Sequence, residues 1–120
     1  LPALRQRPGS WGGLRVESRI EFVVQVLVGG QGDLRRMVRR LAEDWPEEPA
    51  LDILHVIAVA AGNLDGILAG EELKRATGEA WRMAGLVGVD LAMMRRLGLP
   101  HDTGADLLAY WKVHDRFFLD

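Results

Sequence analysis

The chain has 120 residues, 48% apolar and 27% charged, with a formal net charge of −2 and no cysteine. That length suits one domain, and the missing thiols exclude disulfides, thiolate metal sites, iron–sulfur clusters and cysteine nucleophiles. Only Ser10, Ser18, Thr77, Thr103 and Tyr110 carry hydroxyls, which leaves nucleophilic catalysis few candidates.

Residues 1–40 carry eight arginines against Glu17, Glu21 and Asp33, a balance of +5. Residues 41–120 carry seven basic and fourteen acidic side chains, a balance of −7. A chain polarised in this way attracts an anionic partner or a second copy of itself. The longest apolar run, Ile53–Ala61, is interrupted by His55 and falls short of the ~18–20 residues of a membrane helix. Arg5, Arg7, Pro8 and Gly9 lead into no apolar core, so no signal peptide is expected and the expected location is cytoplasmic.

Residues 1–16, rich in Pro, Gly and Arg, have neither helical nor strand period and read as an extended basic arm. Ser18-Arg19-Ile20-Glu21 fits a capping box and predicts a helix over 18–28, stopped by Gly29-Gly30. The β-branched run 23–28 suits a strand equally well, but no partner strand follows. Asp33 predicts a second helix start. Leu34, Met37, Val38, Leu41 and Trp45 form its apolar stripe, with Arg35, Arg36, Arg39 and Arg40 opposite.

Trp45-Pro46 ends that helix, and Pro49 opens a third over 50–61, apolar nearly all round and therefore central. Gly62 reads as its stop and 63–66 as a turn. A fourth helix is expected over 71–87. Asp90 would cap a short fifth ending at Arg96, and Leu97-Gly98-Leu99-Pro100 is a Schellman-like stop. Asp102 or Thr103 caps the last helix, with Leu107, Leu108, Trp111 and Phe118 inward. The expected fold is all-α: an irregular or orthogonal bundle of about five or six helices. The arm over 1–16 would precede a single helical domain over 17–120.

Gly29-Gly30-Gln31-Gly32 precedes a helix but lacks the lysine and spacing of phosphate-binding loops, so a turn is expected. Asn63, Asp65, Gly66, Leu68 and Glu72 follow a spacing that resembles the latter part of an EF-hand calcium loop. Ala61 stands where that family places its first aspartate, and the resemblance spans about a dozen residues. Asp52 and His55, one helical turn apart, are the other metal candidates with Asp65 and Glu72. Neither HExxH nor Glu-x-x-His occurs, so a buried His55 bonded to Asp52 or to a backbone carbonyl is the expectation. Glu71, Glu72 and Glu79 interleave with Lys74, Arg75 and Arg82 as surface pairs rather than an acid–base centre.

Trp11 with the arm arginines, and the Arg35–Arg40 face, form a possible nucleic-acid surface. A sequence pI near 5.9 and the absence of a helix-turn-helix pattern rank it below the other readings. Tryptophan and arginine are interface-enriched types. The leading expectation is therefore a non-catalytic protein-interaction or regulatory, accessory domain that binds a protein partner or, foremost, a second copy of itself, with no cofactor. Its contacts would come from Trp11, Arg15, Arg35, Arg36, Arg39, Arg40, Trp45, Tyr110, Trp111, Phe117 and Phe118. A small metal- or ligand-binding helical protein is the second reading.

Overall fold

The structure is a computed structural model that describes residues 8–30, 33–67 and 70–120, with side chains described from Val16 onward. Five α-helices and no strand occur among these residues: α1 Pro8–Gly29, α2 Leu34–Asp44, α3 Ala50–Asp65, α4 Glu71–Arg96 and α5 Gly104–Val113. The all-α bundle expected from the sequence is present. None of these helices is long and apolar enough to cross a membrane.

Helix α1 departs from expectation at its start. It begins at Pro8, a residue suited to a first helical turn, so residues 8–16 are helical rather than an extended arm. Residues 1–7 lie outside the described residues. Ser18 is consequently mid-helix and exposed, and the Ser18–Glu21 capping box does not form. Val23 and Leu27 bury on one side, and Arg19 joins them with no exposed surface.

Helix α2 follows its sequence signals closely. The Asp33 carboxylate accepts the Arg35 backbone N–H at 2.9 Å, satisfying one of the orphan donors of a helix start. Leu34, Met37, Val38 and Leu41 are buried as the stripe predicts.

Helix α3 is the centre, touching all four other helices. Pro49 provides no side-chain cap. Instead the Ala50 N–H donates to Asp102 O at 2.8 Å, while Gly104 and Ala105 donate to Glu48 O and Pro46 O. The two helix starts thus satisfy each other's connecting segments. Gly104 allows this closeness, since a Cβ there would lie 3.1 Å from Trp45 O and 3.2 Å from Ala42 O. Helix α3 does not stop at Gly62; it continues to Asp65, with Gly62 beside the Trp81 ring.

The two helices expected over 71–96 are one. Asp90 is not a cap. It falls on the inward stripe Val87–Asp90–Met94 and bonds to Trp111 across the core. The helix ends as predicted: Gly98 has φ +72°, and Leu99 N–H reaches Met94 O at 2.9 Å, the long bond of a Schellman motif. Helix α5 opens with a complete capping box between Thr103 and Asp106.

The packing order fixes which surfaces remain open. Leu54 meets Gly88 and Gly62 meets Trp81, so α4 runs antiparallel to α3. Arg19 reaches Asp52, and Val24 and Gln25 border the same groove as Val59 and Asn63, so α1 runs broadly parallel to α3. The whole measures 42 × 40 × 19 Å, little more than two helix layers thick.

Candidate interaction surface

The expected metal ligands are not brought together. Asp52 receives Arg19 Nη2 at 3.3 Å, which fixes the start of α3 to α1. His55, expected to be buried against Asp52, is exposed. Asp65 accepts the Trp81 indole N–H at 3.0 Å, and Glu72 stands exposed at the start of α4. The EF-hand-like stretch is mostly helix, because α3 runs through Ala61–Asp65 and turns Ala61 and Leu64 into the core. No group of three or more potential ligands occurs among the described residues.

The basic face of α2 is largely engaged within the chain. Arg35 holds Asp33 through a 2.8 Å ion pair, lies 5.2 Å from the Phe117 ring centre, and donates to Phe117 O at 3.5 Å. The Arg35 hydrogen bonds hold the Asp33 carboxyl below its ordinary value, and Asp33 raises Arg35 in return. Arg39 donates to Leu119 O at 3.2 Å and lies 3.9 Å from Glu43. Arg40 pairs with Asp44 at 3.0 Å and sits over Phe22 at 5.1 Å. Arg36 remains exposed. Two of these arginines therefore anchor the residues after α5.

The aromatic residues expected at an interface are mostly core. Trp111 has no exposed surface, Phe118 is 2% exposed and Tyr110 8%. Trp111 Nε1 donates to Asp90 Oδ2 at 2.9 Å, and its ring lies 4.9 Å from that of Phe118. A tryptophan buries a large apolar area once its one donor has a partner, and Asp90 is that partner. Phe117 and Trp45 are half-buried, Trp45 against Phe22. The side chains of Trp11 and Arg15 lie outside the described residues. Among the described side chains the most exposed tryptophan is Trp81, 44% exposed, which the sequence did not single out.

Asp90 is 6% exposed and makes no ion pair among the described residues. Burial pushes its carboxyl above the ordinary value, the Trp111 bond pulls it part-way back, and Asp115 adds to the rise. Burial, followed by Asp90 and Asp115, raises Tyr110 as well. Tyr110 stacks on His114 beside an open groove of about 210 Å³ walled by Leu99, Pro100, Ala109 and Val113.

Among the described residues, an uncovered surface lies across α1, α3 and α4, on the side away from α2 and α5. On α3, Leu51, His55, Ala58 and Gly62 recur at one-turn spacing; Leu51, 64% exposed, and His55 are open, Ala58 is half-buried and Gly62 lies beside the Trp81 ring. The groove between α1 and α3 brings Ile20 and Val24 opposite Val59. On α4 the corresponding stripe is Gly78, Trp81, Gly85 and Ala92, all exposed. The central helix, apolar nearly all round, thus leaves its first two turns open at Leu51 and His55. Comparison with known protein families, characterised proteins and solved structures finds no match to this chain.

Proposed function

We propose that this chain is a non-catalytic helical interaction domain that associates with a second copy of itself. The observation that carries the proposal is the bare outer side of α3, with Leu51 64% exposed between the flanking stripes of α1 and α4. Helices apolar on the solvent side mark association surfaces more often than isolated exposed residues do. Each broad face of a 42 × 40 Å slab is ample for the ~800 Å² per partner of a standard interface. Two of the hydroxyls that chemistry would need are engaged structurally: Thr77 donates to Lys74 O and Thr103 caps α5.

The metal-binding alternative draws no support from the positions of Asp52, His55, Asp65 and Glu72. The nucleic-acid alternative is weakened because Arg35, Arg39 and Arg40 already hold carboxylates, carbonyls or rings. Sedimentation equilibrium on the purified chain, from about 1 to about 200 µM, tests the proposal across the affinity range of ordinary protein interfaces. A concentration-dependent dimer is the expected result. A monomer at every concentration overturns it.

A further inference from the structure

We propose that the dimer is two-fold symmetric about an axis parallel to α3, with the acidic edge of α1 against the basic end of the partner's α4. This inference rests on the self-association proposed above and adds its geometry. The Arg19–Asp52 contact places Glu17 and Glu21 beside the first turn of α3. Because α4 runs antiparallel, the Leu54–Gly88 contact places its last turn, with Arg95 and Arg96, at that same end. Asp52, facing α1, and Leu54, facing α4, are roughly 200° apart around α3. Acid and base therefore flank the exposed Leu51 on opposite sides.

These four charges are available. Arg95, Arg96 and Glu17 make no ion pair among the described residues, and Glu21 only accepts a long bond from Gln25 at 3.4 Å. A second copy turned about an axis along α3 swaps left for right while keeping the end the same. Glu17 and Glu21 then meet the partner's Arg95 and Arg96, the reciprocal set forms on the other side, and Leu51 meets Leu51. An isologous contact forms every pair twice. Axes across α3 would carry each charged edge to the opposite end of the partner, away from its complement.

Charge reversal tests the arrangement in the full chain, with circular dichroism confirming the fold of each variant. Glu17→Arg with Glu21→Arg, and separately Arg95→Glu with Arg96→Glu, each weaken the dimer by about tenfold or more. Combining all four changes restores the dissociation constant to within about threefold of the parent. Raising salt from ~0.05 to ~0.5 M weakens the parent dimer, and Leu51→Ser weakens it at both salts. A parent dimer indifferent to both reversals overturns this geometry but leaves self-association standing. A parent that never dimerises removes both.

Discussion

Asp90→Asn is expected to stabilise the folded chain at neutral pH. Asp90 lies inside α4 with 6% of its surface exposed, one N–H donor from Trp111 and no cation paired with it among the described residues. Asparagine keeps the size and an oxygen for the Trp111 N–H, and its NH₂ takes the place of Oδ1, which is not a sealed, unpartnered atom. Two effects compete. Removing water from an unpaired carboxylate costs several kcal/mol even after relaxation, whereas exchanging a charge-assisted hydrogen bond for a neutral one loses roughly 1 kcal/mol. The balance favours asparagine by on the order of 1–2 kcal/mol at pH 7, or about 4–8 °C in melting temperature for a chain of this length.

The pH dependence gives the sharper assay. A carboxyl raised in the folded state binds its proton more tightly folded than unfolded. Its stabilising contribution is present below the ordinary aspartate value of 3.8 and is lost as pH rises through the folded value. The advantage of asparagine is therefore largest near neutrality and shrinks as pH falls towards 4. Urea denaturation of both proteins at several pH values between about 4.5 and 8 measures the gap. Destabilisation by Asn at pH 7, or a gap independent of pH, would refute the account of an uncompensated buried carboxylate.

Three further outcomes are expected from the packing. Gly104→Ala pushes a methyl against Trp45 O and Ala42 O, both backbone atoms, and should cost about 1–3 kcal/mol in denaturant titrations. An unchanged midpoint would mean that α2 and α5 separate easily. Arg19→Met leaves Asp52 and Glu48, 31% and 18% exposed, without their buried cation; partial solvent access brings the expected loss to about 2–3 kcal/mol. Gly78→Ala and Gly85→Ala add methyls that meet nothing within 4 Å, so each should stabilise the monomer by about 0.5–1 kcal/mol. Thermal melts below the dimerisation range check this, and a loss of stability would contradict the open surface described for α4.

The sequence was most legible where a structural cause is local. Asp33 caps α2 because its carboxylate needs only an amide two residues on, and Gly98 ends α4 because its φ of +72° suits glycine. Legibility failed where the cause is distant. Asp90 resembles a helix start, yet Trp111, 21 residues later, draws it inward and lets α4 continue. Gly62 resembles a stop, but the helix carries on past it beside Trp81. The aromatic spacing of α5 fits a core and an interface equally well; only the partner of the Trp111 N–H separates them. His55 is expected inside because α3 is apolar nearly all round, and nothing local reveals which side a slab of two layers leaves uncovered.

The charge asymmetry of the sequence changes meaning in the same way. Its basic half suggested an arginine-rich surface for an anionic partner, but Arg19 is buried with Asp52 and Glu48. Arg35 and Arg39 reach the carbonyls of Phe117 and Leu119, so part of the positive surplus serves to hold the chain's own C-terminal residues. At the surface around Leu51 the signs are reversed relative to composition: the +5 half presents Glu17 and Glu21, and the −7 half presents Arg95 and Arg96. A partner attracted to Arg19, Arg35, Arg39 or Arg40 would compete with internal contacts that these four already make. In the proposed dimer a second copy of the chain would instead meet Glu17, Arg95 and Arg96, which make no ion pair among the described residues, and Glu21, which accepts only the Gln25 bond, so that acid, leucine and base across α3 would complement themselves.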